Sequence, residues 1–243
     1  MFDGQSSTST ENQEIKSKLA TLCRLLEYLG LIDFSGHVSA RVPGTENVLI
    51  NPRNVARCKV TPADLLTIDL DGRVLEKRSG PPSEFPIHTE IYRVRPDVMS
   101  VVHLHSPMAI LVATAKLPYV PVVYHGAMFS EGVPLLDYSG HIDTRERGQA
   151  LAKLLENRRA VLIRGHGAVV TALTVESALL TSVCLEENAK YLYQLSQLGK
   201  VTPLSGGEIE EGTRFLRSAG KLWSYYGEKL KLGSDNAYSA CIS

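Results

Sequence analysis

The run Val101-Val102-His103-Leu104-His105-Ser106-Pro107 places two histidines two residues apart in a β-branched stretch. On a strand, successive side chains point to opposite faces, so His103 and His105 share one face and Leu104 takes the other. Two imidazoles fixed on one rigid face suit a divalent metal ion. A third histidine, His166, lies between two glycines in Arg164-Gly165-His166-Gly167. A carboxylate, Glu84, precedes the pair in Pro82-Ser83-Glu84-Phe85-Pro86. Three imidazoles and an acid can hold a metal and leave a coordination position for substrate. Such a centre acts as a Lewis acid on a carbonyl, enolate or phenolate oxygen. Zn²⁺, Mn²⁺ and Fe²⁺ all suit this donor set, and the residues do not choose among them.

These residues need elements to position them. Ile15 to Leu29 shows helical spacing and ends at Gly30. Val38–Val42 and Val48–Ile50 read as strands joined through Pro43-Gly44, and Leu65–Leu70 as another, turning at Asp71-Gly72 in a type I′ hairpin into Val74-Leu75. Ser83 is the expected cap of a helix from Glu84 to Arg95. The metal-bearing strand spans Met99–His105, a helix Pro107–Ala115 and a strand Val120–Tyr124. Thr144 caps a helix to about Glu156. Strands Ala160–Ile163 and Ala168–Thr171 flank the Gly-His-Gly, and Thr174 caps a helix from Val175 to Leu198. A last helix is expected from Glu208 to Tyr226. The strands do not alternate regularly with helices, which indicates a mixed or antiparallel sheet covered by helices. The expected organisation is a disordered tail over 1–12, one domain over 13–230 and a flexible tail over 231–243.

Lysine plus arginine and aspartate plus glutamate each number 26, so no charge excess points to nucleic acid or a membrane surface. No apolar run approaches the ~20 residues of a bilayer span, and Met1 to Gln13 lacks the apolar stretch of a secretory signal. Cys23, Cys58, Cys184 and Cys241 lack disulfide or metal spacing, and a cytoplasmic location is expected.

Glu84, the His-x-His and the Gly-His-Gly, with Gly36-His37-Val38-Ser39 upstream, resemble the class II aldolase/adducin family over about residues 15–225. The resemblance implies an α/β fold, a three-layer α/β/α around a largely antiparallel sheet. It also implies a homotetramer with active sites at subunit interfaces. On the family pattern His103, His105 and His166 are the metal ligands, and Glu84 is a further ligand or an acid/base. The family's sugar-phosphate enzymes carry small hydroxyl, amide and glycine residues around a phosphate. This chain has Gly36-His37-Val38-Ser39, Asn51-Pro52-Arg53-Asn54 and Pro82-Ser83-Glu84 at those places. An arginine can hold a planar carboxylate in bidentate fashion, and a histidine can do proton chemistry near neutral pH.

The chain is thus similar to the branch that decarboxylates dihydroxyphthalates and 3-hydroxy-2-methylpyridine-4,5-dicarboxylate. That similarity implies a metal-dependent decarboxylase of a hydroxylated aromatic or heteroaromatic carboxylate. The alternative is an aldolase, epimerase or dehydratase on a sugar or sugar phosphate. Arg53 is the expected carboxylate clamp, with Ser39, Asn51, Ser83 and Tyr138 as further substrate-binding residues. Glu84 or His37 is the expected proton donor and His125 a second acid/base. His88 reads as a helix-to-core hydrogen bonder and His141 as a loop residue.

Overall fold

The computed structural model describes residues 4–76, 79–216 and 218–236. A seven-stranded sheet forms the middle layer. Its strands are β1 (His37–Arg41), β2 (Val48–Ile50), β3 (Leu66–Ile68), β4 (Ser100–Leu104), β5 (Leu135–Leu136), β6 (Ala160–Ile163) and β7 (Gly167–Ala172). The order is β3-β2-β1-β4-β7-β6-β5, antiparallel throughout except for the β5–β6 pair. Alternation sorts the side chains into two cores. Val102, Leu104, Val38 and Val170 face one layer containing α1 (Gly4–Tyr28), α3 (Pro107–Thr114) and α5 (Val175–Leu198). Val101, Val169, Ile50 and Ile68 face α2 (Phe85–Val94) and α4 (Arg145–Leu155). Two helices, α6 (Gly206–Phe215) and α7 (Gly220–Asn236), complete the chain. The fold is the expected three-layer α/β/α arrangement. No helix among the described residues is long and apolar enough to cross a membrane.

Several local expectations change. Residues 4–12, expected to be disordered, form the first turns of α1. Extending a helix whose later turns are packed is far easier than nucleating one. The expected strand at 120–124 is absent, because a side chain takes the place of a neighbouring strand. Asn188 of α5 accepts from the Val122 N–H at 2.9 Å and donates to the Val120 carbonyl at 3.0 Å. The chain then enters a 3₁₀ turn over Tyr124–Phe129. The expected last helix is two helices, and residues through Asn236 of the expected C-terminal tail belong to α7. Residues 1–3 and 237–243, including Cys241, lie outside the described residues.

The Asp71-Gly72 turn is not type I′, since only Gly72 has positive φ, at 82°. Its partner run contributes only a bridge between Ile68 and Val74. Ser83 is not a cap. Glu84 occupies that position without capping the helix, and its carboxylate accepts the Ile142 N–H at 2.7 Å instead. The start of α3 is satisfied from another helix: Glu186 of α5 accepts from the N–H groups of Met108 and Ala109.

Candidate metal centre

The centre of the sheet gathers the histidines. Register pairs His37 of β1 directly with His103 of β4, on the face that meets α2. His105 lies just past β4, its N–H bonded to the Leu31 carbonyl at 2.9 Å. His166 sits in the β6–β7 turn, and its two glycines serve different needs. Gly165 adopts φ 62°, in the left-handed region. At Gly167 a Cβ would stand 2.0 Å from the Leu104 carbonyl oxygen, so the close approach of β7 to β4 requires glycine.

Three imidazoles are tied back at Nδ1. His103 Nδ1 donates to the Ala168 carbonyl (3.2 Å) and His166 Nδ1 to the Gly140 carbonyl (3.1 Å). His105 Nδ1 pairs with Asp33 Oδ1 at 3.0 Å. Protons held there leave lone pairs on all three Nε2 atoms, which converge. His103 and His105 Nε2 lie 3.2 Å apart. Two lone pairs at that separation repel unless a cation lies between them. The spacing is close to the roughly 3.0–3.4 Å between nitrogens that each stand ~2.1 Å from one ion. The donor set therefore fits a divalent metal.

Glu84, 4% exposed, faces this cluster. Its Oε2 is 3.6 Å from His166 Nε2, 3.7 Å from His103 Nε2 and 4.0 Å from His37 Nε2. Burial pushes the Glu84 carboxyl up, but the His166 contact, the His103 ring and the Ile142 N–H outweigh it and hold it down to about 2. The same contact raises His166, against burial. Burial lowers His103 to about 3 despite Glu84. His37 is held well below its ordinary value by burial and then by the neighbouring His88 and His103.

Other expected site residues divide. Arg53 and Ser83 line a cavity of about 460 Å³ with Phe85 and Asp143, beside Glu84 in the chain. Tyr138 lies under the Arg147 guanidinium, 5.3 Å from its ring centre. Ser39 and Asn51 do not face this cavity. Both are fully buried, Ser39 bonded to His88 and Tyr92, and Asn51 to the Val38 N–H and the Pro52 carbonyl. His125 pairs with Glu187 of α5 in a separate groove that includes Leu31, Leu180 and Tyr226.

Two residues that the sequence did not single out, Asp33 and Arg57, and His141, read there only as a loop residue, belong to the site's surroundings. Asp33 orients His105. His141 places Nδ1 3.7 Å from Glu84 and is 72% exposed, so it joins the cluster to solvent. Arg57, 3% exposed, donates to the carbonyls of Gly36 (2.7 Å), Val55 (2.7 Å), Phe34 (3.0 Å) and Pro52 (3.2 Å), pinning the loops on either side of His37. The polar types and loop positions of Asp33 and His141 carry no periodic signal. Arg57 reads in sequence as an ordinary surface arginine.

Comparison with known proteins agrees with the geometry. The family model described as the class II aldolase and adducin N-terminal domain matches residues 17–193. A 3,4-dihydroxyphthalate decarboxylase from Arthrobacter keyseri is 30% identical over 212 residues, covering 81% of this chain and 84% of that protein. A 5-deoxy-D-ribulose 1-phosphate aldolase from Bacillus thuringiensis is 30% identical over 163 residues, covering 67% and 76%. An aldolase II superfamily protein from Pseudomonas syringae shares the fold at a TM-score of 0.80 and 24% identity, over 91% of this chain and 94% of that one. A shared fold thus accompanies the sequence match, and the chain belongs to the class II aldolase and adducin family.

Proposed function

We propose that this protein is a divalent-metal-dependent decarboxylase of a hydroxylated aromatic or heteroaromatic dicarboxylate. The observation that carries this reading is the cavity beside Glu84. It is lined by Arg53, which makes no ion pair among the described residues, and by Ser83 and Phe85, the chain neighbours of Glu84, whose ionised carboxylate faces the imidazole cluster. The similarity to 3,4-dihydroxyphthalate decarboxylases supports the same reading.

His103, His105 and His166, with Glu84, would hold the ion. Bound there, a Zn²⁺ or Mn²⁺ would supply Lewis-acid stabilisation of the negative charge left when CO₂ departs. Arg53 would grip the carboxylate that stays on the ring, through two parallel hydrogen bonds. Glu84, held ionised, serves as a ligand or base and not as a resting acid. The proton that replaces CO₂ on the ring needs a path from solvent. His37, at 1% exposure, has none, whereas His141 connects solvent to Glu84. His125 lies in its own groove and would act only on a neighbouring subunit's site, in the homotetramer that the family suggests. The working assembly is proposed to be such an oligomer in the cytoplasm.

A second reading, aldol cleavage of a sugar phosphate, is favoured by the similarity to the ribulose phosphate aldolase. Both reactions leave an electron pair that a neighbouring oxygen must stabilise. A CO₂-release assay on Zn²⁺- and Mn²⁺-loaded protein separates them. Hydroxylated phthalates and pyridine dicarboxylates would run beside fuculose and ribulose phosphates. CO₂ release that is lost on chelation is expected. Silence on the ring acids with cleavage of a sugar phosphate overturns the decarboxylase.

A further inference from the structure

A chain of buried polar side chains runs behind the cluster. The Tyr92 hydroxyl lies 2.9 Å from Ser39 Oγ, Ser39 Oγ 2.6 Å from His88 Nδ1, and His88 Nε2 2.6 Å from His37 Nδ1. All four residues are at most 2% exposed. At the far end His37 Nε2 is buried and has no hydrogen-bond partner among the described residues, 4.0 Å from Glu84 Oε2.

Each neutral link carries one proton, so the chain can run in two senses. In the outward sense Tyr92 donates to Ser39, Ser39 donates to His88 Nδ1, and His88 Nε2–H donates to His37 Nδ1. Every link within the chain is then satisfied, and the His37 proton sits on Nε2, where it faces the Glu84 carboxylate 4.0 Å away; the inward sense would turn a lone pair toward that carboxylate. In the inward sense His37 Nδ1–H donates to His88, and His88 Nδ1–H to Ser39. The Ser39 proton is then left with the Tyr92 oxygen or the Val101 carbonyl, the latter 3.5 Å away. If it goes to Tyr92, the buried tyrosine hydroxyl loses its acceptor. If it goes to Val101, the bond is at the limit of what counts as one. An unmet buried hydroxyl is costly, so the outward sense prevails.

This reverses the pattern at the other three histidines. Behind His103, His105 and His166 stand acceptors: two carbonyls and a carboxylate. Behind His37 stands a line of donors. What holds Nδ1 therefore sorts the imidazoles into three that present lone pairs and one that presents a proton.

We infer that the Tyr92–Ser39–His88 chain holds His37 as its Nε2-protonated tautomer, so that His37 offers a neutral N–H donor to a substrate oxygen bound beside Glu84. His88 is then a positioning residue acting through His37. His37 is not a further metal ligand, although its Nε2 lies near Glu84 and His103. The donor's target, a carboxylate or carbonyl oxygen, rests on the proposed reaction; the tautomer does not.

The test is long-range ¹H–¹⁵N correlation on the full chain labelled with ¹⁵N-histidine and with Zn²⁺ added, His37 being assigned by difference with His37→Gln. A proton on His37 Nε2 is expected, and a proton on Nδ1 overturns the inference. Ser39→Ala removes the donor to His88. The His37 proton should then move at least partly to Nδ1, and an unchanged tautomer in folded Ser39→Ala rejects the chain as its cause. The wild-type reading decides the tautomer even where that variant does not fold. CO₂ release with Nδ1 protonated rejects this inference alone, and no turnover with Nε2 protonated rejects the reaction alone.

Discussion

Asp33 shows how much of this site depends on side chains that would never touch a substrate. Its Oδ1 fixes the His105 ring at Nδ1, and its own carboxyl is held below the ordinary range: burial opposes this, but the Ser35 N–H and His105 prevail. Partners of this kind orient a ligand and raise its basicity, and losing one typically weakens metal binding about 10–100-fold. Asp33→Ala is therefore expected to lower Zn²⁺ affinity by about that factor, measured by competition with a chelating dye, while Asp33→Asn retains an acceptor and most of the affinity. Equal binding by Asp33→Ala and the parent protein removes Asp33 from the centre. The same scale explains what was legible in the sequence. His103, His105, His166 and Glu84 could be grouped because strand alternation and glycine punctuation mark them. Ser39 and Asn51 read in sequence as substrate-binding because a hydroxyl or an amide suits a pocket and a buried network equally well. Only the fold shows that their hydrogen bonds are already made internally.

Elements place those residues through a few close approaches. α2 carries Glu84 at its start, with His88 and Tyr92 behind it, and α4 crosses it at Gly148. A Cβ at Gly148 would stand 2.6 Å from the Pro86 carbonyl oxygen and 3.0 Å from Glu90 Cγ. In an isolated helix Gly→Ala is stabilising by roughly 0.5–1 kcal/mol. Here the contact is with backbone two residues from Glu84, and overpacking of that kind costs about 1–3 kcal/mol. Gly148→Ala should therefore lower the urea midpoint and also reduce turnover, because α2 must move. A variant more stable than the parent would show that the two helices can separate freely. The boundaries of α5 were legible because Thr174 accepts from the Ser177 N–H at its start and Gly199 follows its last residue. The 120–124 segment was not, because the residue that replaces its strand neighbour, Asn188, lies more than sixty positions away.

At the scale of the whole molecule, the buried histidines tie folding to pH. His88 and His103 stay neutral in the folded chain down to about 3, because burial disfavours the charged ring. Released by unfolding, each takes up a proton near the ordinary value of about 6.5. Between those limits the unfolded chain binds more protons, so their contribution is complete above about pH 6.5 and declines as the pH falls. Each can add a slope of up to about 1.4 kcal/mol per pH unit. Glu84 acts lower: its contribution is present above its ordinary unfolded value and lost as the pH falls toward 2. Metal-free protein should therefore show a clearly lower urea midpoint at pH 5.0 than at pH 7.5, and equal midpoints would mean that the rings are already protonated in the native state. The pairing of His37 with His103 carries a kinetic consequence as well. β4 is hydrogen-bonded on both sides, to β1 and β7, in the middle of seven strands. Its amides can reach heavy water only when the innermost ladder parts, which places them among the slowest to exchange. The turn that carries His166 and the loop at Gly140 and His141 have no such protection. An ion would enter and leave through that rim, past a β-sheet wall that opens only when the whole domain does.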